Sequence, residues 1–227
     1  MGNIRLAKGE RRENMKHGFV RAAAATPDIR VADVAYNTEK IKYDIREAWE
    51  NGAKIIAFPE LCITGYTCGD LFTHDVLLSA AKSALYELAE YTADKDILVF
   101  VGVPLDIEGK LYNVAAALNR GKILGLTTKT FLPNYGEFYE MRQFTPGPKK
   151  AGYISFDGDQ VPFGPQILFQ ATAMENLIVS AEICEDVWSP VPPSIGAAVE
   201  GATVIVNCSA SDETIGKDSY RREPVSY

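Results

Sequence analysis

The stretch LIVSAEICEDVWSP, residues 177–190, decides the fold that we predict for this chain. A run of apolar and β-branched residues, typical of a buried strand, stops at Cys184, and two acids, an aromatic residue and a proline follow. A residue on the sharp turn that leaves a strand projects its side chain outward, and α/β sheets bind ligands at strand ends. Cys184 is therefore a candidate nucleophile. The alternative is a buried cysteine that completes a core strand.

The segments that precede this stretch indicate an α/β fold. Residues 18–29 predict a buried first strand that ends near Pro27, and 33–51 predict a helix because apolar residues recur at helical spacing after a possible N-cap, Asp33. Residues 54–58 then predict a short buried strand. This strand–helix–strand unit is typical of α/β sheets, and a second long helix is predicted at 73–93.

The middle of the chain has a different residue pattern, with β-like runs instead of alternating strands and helices. Three β-like runs at 97–106, 110–119 and 122–129 are joined by short turns, so they predict an antiparallel meander of hairpins. Residues 130–150 are rich in proline and aromatic residues without clean periodicity. A long connection of this kind is usually functional. Residues 152–170 predict another hairpin.

The two ends of the chain complete the domain prediction. Residues 190–201 predict a short helix and 202–211 a buried strand, whereas the charged segment from Lys217 shows no closing element. With no repeat or linker inside the chain, we expect one domain over 18–227. It follows a charged tail at 1–17, which is either solvated or an arm that docks on a partner.

The composition excludes several classes of protein. Hydrophobic residues make up 47% of the chain, enough to fill a sizeable core. A formal net charge of -7 without a lysine–arginine patch argues against broad nucleic-acid binding, which needs a basic face. No apolar run approaches the roughly 20 residues that span a bilayer, and the N-terminus lacks the apolar core of a signal peptide. We therefore expect no membrane partner and a cytoplasmic location.

The cysteines and histidines indicate neither a disulfide scaffold nor a metal site. No CxxC pair occurs among the four scattered cysteines: Cys62, Cys68, Cys184 and Cys208. The two histidines, His17 in the tail and His74 on a predicted helix, are poorly placed to activate Cys184. If Cys184 is the nucleophile, a different residue type must take its proton.

Two other polar residues occupy the same kind of position as Cys184. Glu60 follows the strand KIIAF, and Lys129 follows the strand KILGLTT. A carboxylate can take the proton of a thiol and deliver it to a leaving amine, and an ammonium group can stabilise a developing oxyanion. Each residue taken alone also suits a solvated surface position. Together with Cys184, they can replace the missing histidine.

Three sequence blocks carry a family resemblance. FPELCITGY at 58–66, KTFLPNYGEFYE at 129–140 and ICEDVW at 183–188 resemble the signature blocks of the nitrilase, or carbon-nitrogen hydrolase, superfamily, in the order Glu, Lys, Cys. More narrowly, GYTCGDLF, LPNYGEFYE, CEDVW and SASDETIGKDSYRRE resemble the glutaminase domain of glutamine-dependent NAD synthetases. The resemblance covers roughly 18–224, nearly the whole chain.

The resemblance implies a fold and a mechanism. The fold is a four-layer α-β-β-α sandwich, with the substrate glutamine attacked at its side-chain amide by Cys184. Glu60 is the implied general base, and Lys129 with the backbone N–H after Cys184 holds the oxyanion. In the superfamily a second glutamate hydrogen-bonds near this triad, and here we assign it to Glu137.

The resemblance also implies residues that bind the substrate. Tyr135, Glu185 and Ser211 would surround the amino-acid end of glutamine, because its ammonium needs an acid and its carboxylate needs hydroxyl or amide donors. Trp188 and Phe138 would form walls. Both aromatic residues also suit the core, and Glu185 also suits an exposed turn. Asp186 receives no role from the sequence.

The resemblance further implies partners. Ammonia would serve a synthetase domain or subunit that uses ATP and Mg²⁺ to amidate nicotinic acid adenine dinucleotide to NAD. The sequence has no phosphate-binding loop of the GKS or SGGxDS type, so we expect no cofactor in this domain, and superfamily members commonly form homo-oligomers. Relatives continue with further strands and a helix, so we expect a domain truncated at its C-terminus. Two alternatives are an amidase or carbamoylase for another small amide, and a non-catalytic interaction domain.

Overall fold

The computed structural model describes residues 4–5, 18–212 and 214–222. The basic cluster at 8–16, with its proposed docking role, and His17 lie outside the described residues. Ile4–Arg5 forms a two-residue strand, β1, within the segment predicted to be a tail.

The described ranges contain eleven strands and four α-helices. After β1 the strands are β2 (Ala22–Ala24), β3 (Ile55–Ala57), β4 (Leu98–Ile107), β5 (Lys110–Asn119), β6 (Lys122–Thr128), β7 (Gly152–Phe156), β8 (Asp159–Gly164), β9 (Phe169–Gln170), β10 (Ile178–Ile183) and β11 (Val204–Cys208). The helices are α1 (Val34–Glu50), α2 (Asp75–Tyr91), α3 (Pro193–Val199) and α4 (Lys217–Arg222). None of the helices in these ranges has the length and apolarity needed to cross a bilayer.

The larger sheet has seven strands in the order β2-β3-β4-β5-β6-β8-β7. Strands β2, β3 and β4 are parallel neighbours, and the predicted meander of β4, β5 and β6 is confirmed as antiparallel. The N-cap prediction for α1 is also confirmed, because the Asp33 carboxylate accepts a hydrogen bond of 3.1 Å from the Tyr36 N–H.

Strand β4 contributes to two cores because successive side chains point to opposite faces of the sheet. Val99 and Val101 pack with helices α1 and α2, whereas Leu98 and Phe100 face the second sheet. All four side chains are buried. The near-continuous apolar run of this strand therefore reflects a sheet that is covered on both faces.

The smaller sheet has four strands in the order β1-β9-β10-β11. The ring of Phe169 on β9 meets that of Phe100 edge to face at 5.5 Å, which joins the two sheets. Helix α3 packs on the outer side of β10. The layers are therefore helices α1 and α2, the seven-stranded sheet, the four-stranded sheet and helix α3, which confirms the predicted four-layer sandwich.

Three element predictions were wrong in detail. The buried strand expected at 18–29 is limited to β2, and the residues of β2 are exposed or half-buried. The hairpin expected at 152–170 ends with β8, because the chain turns through Gln166, whose φ is +56°, and crosses to the other sheet as β9. The segment from Lys217 forms helix α4 instead of an irregular tail.

Candidate active site

Glu60 is placed by a tight turn after β3. The pairing with β4 continues beyond the strand, because the Phe58 N–H donates to the Phe100 carbonyl at 2.9 Å. The turn then passes directly over Gly102, where a Cβ atom would overlap the backbone of Pro59 and Leu61. Only glycine allows this approach. The turn buries the Glu60 carboxylate, which is 1% exposed.

Lys129 reaches the same carboxylate from the end of β6. Its backbone N–H donates to the Asn113 carbonyl of β5 at 2.9 Å, which continues the ladder by one residue. Its Nζ atom, fully buried, donates to Glu60 Oε1 at 2.6 Å. The Asn113 side chain donates to the same oxygen at 2.6 Å. Two neighbouring strand positions thus hold one oxygen of Glu60.

The second glutamate beside Lys129 is Glu140, and the assignment to Glu137 was wrong. Lys129 Nζ donates to Glu140 Oε1 at 2.6 Å, and the Tyr66 hydroxyl donates to the same oxygen at 2.8 Å. Glu137 is exposed. The loop folds back so that the Glu140 N–H donates to the Pro133 carbonyl, which turns Glu140 inward. Both glutamates lie in YGEFYE, and no periodicity in an irregular loop distinguishes them.

Some hydrogen-bonding atoms of this cluster remain available to a ligand. An ammonium group has three donors, and Lys129 uses one for each glutamate. Among the described residues, none donates to Glu60 Oε2 or Glu140 Oε2. Burial lowers the pKa of Lys129, but the two carboxylates outweigh it and raise that pKa above its ordinary value. Lys129 is therefore a permanent cation with one donor left for a ligand.

Cys184 approaches this cluster from the other sheet. It follows β10 and opens a short 3₁₀ turn, Cys184–Trp188, with a φ of +45°. That left-handed conformation is rare for a residue with a side chain and is common at functional sites. The thiol is buried, with the residue 8% exposed. The turn is the sharp exit from a strand that the sequence predicted.

The electrostatic environment of Cys184 shows that its thiol needs a base to become a nucleophile. Burial and the nearby Glu60 carboxylate raise the pKa of Cys184 to about 12, against the opposing effects of Lys129 and a hydrogen bond with Ser209. At neutral pH the thiol therefore keeps its proton. Because Glu60 has an oxygen without a donor, it is the group that can accept this proton.

Three of the predicted substrate-binding residues, Tyr135, Glu185 and Phe138, lie on irregular segments and are linked by contacts through Tyr135. The Tyr135 hydroxyl donates to Glu185 Oε1 at 2.8 Å, although Tyr135 is 59% exposed. Phe138 makes edge contacts with both Tyr135 and Tyr66, at 6.0 and 6.4 Å between ring centroids. Phe138 thus lies between the exposed Tyr135 and Tyr66, whose hydroxyl donates to the buried Glu140.

The other two predicted residues lie on the C-terminal side. The Ser211 N–H donates to the Ser209 hydroxyl at 3.3 Å, and Ser209 hydrogen-bonds with Cys184. Trp188 stacks on Tyr220 of helix α4, with ring centroids 4.9 Å apart. Trp188 is half-buried, so it is not a core aromatic residue. The structure places both residues on the flank of the Cys184 turn.

Four residues of this site were not predicted from the sequence. Asn113 and Tyr66 each donate to a buried glutamate, Glu140 pairs with Lys129, and Gly102 lets the Glu60 turn form. A polar residue inside the apolar run of β5 was the one available signal for Asn113. Within the described ranges, no group of three or more histidine, cysteine, aspartate or glutamate side chains has an arrangement suited to a metal ion.

Comparisons with known proteins show the family of this chain. The family model described as carbon-nitrogen hydrolase matches residues 21–222. The glutamine-dependent NAD(+) synthetase of Mycobacterium bovis is 41% identical over 207 residues, which cover 91% of this chain and 30% of that protein. This chain therefore spans less than a third of the length of that curated relative.

Solved structures share the fold. The crystal structure of a glutamine-dependent NAD(+) synthetase from Cytophaga hutchinsonii has a TM-score of 0.79 at 32% identity, over 90% of this chain and 33% of that chain. An amidase from Nesterenkonia sp. has a TM-score of 0.64 at 24% identity, over 86% of this chain and 67% of that chain, a likeness of fold. Since the family model covers most of the chain and the fold agrees, this chain belongs to the carbon-nitrogen hydrolase family.

Proposed function

We propose that this chain is a glutamine amidohydrolase with Glu60, Lys129 and Cys184 as its catalytic residues. The observation that carries the proposal is the buried contact of Lys129 with Glu60 next to a thiol whose pKa is raised. A neutral thiol needs a base, and Glu60 offers one oxygen that has no donor among the described residues.

The first half-reaction forms a thioester. Cys184 Sγ attacks the side-chain amide carbon of glutamine while Glu60 Oε2 takes the thiol proton. The remaining N–H of Lys129 and the backbone N–H of Glu185 hold the oxyanion that develops. As the intermediate collapses, the C–N bond breaks and Glu60 gives its proton to the leaving amine, which departs as ammonia.

The second half-reaction restores the enzyme. Water attacks the thioester carbon and gives a proton to Glu60, the C–S bond breaks, and the thiol of Cys184 regains that proton as glutamate leaves. Glu140 and Tyr66 do not transfer this proton. Glu140 accepts a hydrogen bond from the ammonium of Lys129 and so holds it in place, and the Tyr66 hydroxyl holds the same oxygen of Glu140.

Substrate recognition falls to the irregular segments around Cys184. Glu185 can pair with the ammonium of glutamine, and Tyr135 holds that carboxylate at 2.8 Å. Ser211 lies on the segment that leads from Ser209 and can donate to the carboxylate of glutamine. Trp188 and Phe138 flank the opening and supply apolar walls.

The proposal also includes the use of the ammonia by a synthetase. The relatives with 41% and 32% identity are named as glutamine-dependent NAD(+) synthetases. We expect the ammonia to serve an ATP-dependent synthetase domain or subunit that makes NAD. A test is a pull-down of this chain from its own cells, followed by assay for glutamine-dependent NAD formation.

An ammonia assay tests the hydrolytic function. We expect equal amounts of ammonia and glutamate from glutamine, and little ammonia from simple aliphatic amides. Turnover of aliphatic amides without turnover of glutamine would instead identify an amidase. If neither substrate is turned over by the folded chain, the non-catalytic alternative replaces this proposal.

A further inference from the structure

Asp186 is a fully buried acid to which the proposed mechanism gives no role. It lies two residues after Cys184 and is 0% exposed. Its Oδ1 atom accepts hydrogen bonds from the backbone N–H groups of Thr130 at 3.0 Å and Phe131 at 2.8 Å. Its Oδ2 atom accepts one from the N–H of Ile183 at 3.1 Å. These three backbone donors satisfy the hydrogen bonding of the buried carboxylate, so Asp186 is part of the ordered structure.

These three donors belong to two different sheets. Thr130 and Phe131 directly follow Lys129, the first residue after β6 of the seven-stranded sheet. Ile183 directly precedes Cys184 and ends β10 of the four-stranded sheet. The Asp186 carboxylate therefore connects the backbone beside the ammonium group with the backbone beside the thiol.

A second polar network holds Cys184 within its own sheet. The Asn207 side chain donates to the Cys184 carbonyl at 3.3 Å and to Glu182 Oε1 at 3.4 Å. Glu182 Oε2 in turn accepts the N–H of Ser194 at 3.1 Å. These contacts support the strained turn, but they involve β10, β11 and α3 alone. They do not set where the thiol lies relative to Lys129.

Alignment between the sheets matters because Glu60 and Lys129 are already paired. Their contact of 2.6 Å forms without any part of the four-stranded sheet. The nucleophile is the one catalytic group that comes from elsewhere, and a misplacement of about 1 Å can cost 10²-fold in rate. A link near both groups controls that distance more directly than core packing farther along the sheets.

We propose, building on the proposed glutaminase function, that Asp186 is a positioning residue that aligns the Cys184 turn of one sheet with the Lys129 and Glu60 pair of the other. It does not touch substrate. Its carboxylate fixes the first residues of the 130–150 loop and the backbone that enters the 3₁₀ turn. The same turn carries the Glu185 N–H that would hold the oxyanion.

The charge state of Asp186 is compatible with this role. Burial raises the pKa of Asp186 to about 7, while its backbone donors and the charge of Lys129 act in the opposite direction. Carbonyl-type oxygens accept backbone N–H donors in both charge states. An asparagine can reproduce only part of the contacts, since its NH₂ group must face at least one N–H donor.

Alkylation of Cys184 by iodoacetamide tests the alignment without requiring glutamine turnover. We expect Asp186→Asn to lower the second-order rate constant of alkylation at Cys184 about tenfold, and to lower kcat for ammonia release by about 10²-fold with KM changed much less. The matched control is Asp96→Asn, which removes a half-buried acid paired with Lys54 and Arg120 away from the site. It should leave both rates within twofold of wild type.

The outcomes separate this proposal from the proposed function. Slower alkylation in Asp186→Asn alone supports the alignment role, even if glutamine proves not to be the substrate. Alkylation within twofold of wild type, or an equal loss in Asp96→Asn, overturns it. If Asp186→Asn does not fold, hydrogen exchange of the wild-type chain decides. Slow exchange at Phe131 and Ile183 supports the link, and exchange of Phe131 at the rate of an exposed loop overturns it.

Discussion

The two sheets contribute unequally to the candidate active site. The seven-stranded sheet delivers Glu60 and Lys129 already joined at 2.6 Å, with Asn113 between their strands as a further donor. The four-stranded sheet delivers Cys184 alone, on a turn with a φ of +45°. The Glu60–Lys129 pair is thus held within one sheet, whereas the position of the nucleophile depends on contacts between the sheets, both the Asp186 hydrogen bonds and the packing. Substitutions in the two sheets should therefore differ in how strongly they change activity and stability.

The largest expected effect comes from the four-stranded sheet. Cys184→Ala should abolish ammonia release from glutamine and leave the melting temperature almost unchanged, because it removes the nucleophile and little packing. Cys68→Ser is the matched control, since its buried thiol donates only to nearby backbone carbonyls. It should retain activity.

Mass spectrometry after treatment with a glutamine-like electrophile completes that test. The label should lie on Cys184. Substantial activity in Cys184→Ala, or a label on Cys62, Cys68 or Cys208, would remove Cys184 from the mechanism.

Loss of the cation from the seven-stranded sheet should chiefly damage the fold. Lys129→Met leaves Glu60 and Glu140 buried without their cation, which should lower the free energy of unfolding by about 3–5 kcal/mol and abolish activity. Lys54→Met, which breaks a partly exposed pair with Asp96, should cost about 1 kcal/mol or less. Urea denaturation measures both, and similar losses in the two variants would contradict the buried-cluster account.

A smaller effect should come from the packing between the sheets. In Gly125→Ala, the new Cβ would lie 3.1 Å from the ring of Phe169, so that ring of the four-stranded sheet must shift slightly, which we expect to cost about 1–3 kcal/mol. Ammonia release should fall several-fold because Cys184 moves and the Glu60–Lys129 pair does not. Gly152→Ala, where a Cβ meets no atom within 4 Å, is the control. Full activity in a destabilised Gly125→Ala would show that packing does not align the thiol.

The smallest expected effect is a pH dependence that Asp186 contributes. Its folded pKa is about 7 and its unfolded pKa is lower, so the folded state keeps a proton that the unfolded state has lost between these values. The stability that Asp186 contributes is therefore fully present at acidic pH and falls as pH rises toward 7. Relative to Asp186→Asn, wild type should lose about 1 kcal/mol between pH 6 and 7. Parallel curves from denaturation at each pH would contradict this sign.

Regular elements and their ends were predictable from the sequence because local rules decide them. Alternation and short turns identified the β4 to β6 meander, and Glu60, Lys129 and Cys184 each stand where a buried run stops. Such ends are visible to pattern analysis. The resemblance to a known family then supplied the chemistry that the pattern alone left open.

Positions on irregular backbone were not predictable in this way. Glu140 and Glu137 share one loop, and a backbone hydrogen bond to Pro133 decides which of them turns inward. The need for glycine at 102 arises from a turn that is distant in sequence. Two of the three donors to Asp186 lie 55 and 56 residues away, so the sequence around Asp186 does not indicate its link to the other sheet. Long-range contacts of this kind produce no periodic pattern in the sequence, so pattern analysis cannot predict them.

The raised pKa of Cys184 also has a consequence for oxidative damage. Peroxide oxidises thiolates, and with a pKa of about 12 only about one thiol in 10⁵ is ionised at pH 7. Conversion to sulfenic acid should therefore be slow in the resting protein. In the proposed mechanism Cys184 loses its proton only when an amide is in place, so the resting thiol would stay reduced without any dedicated protection.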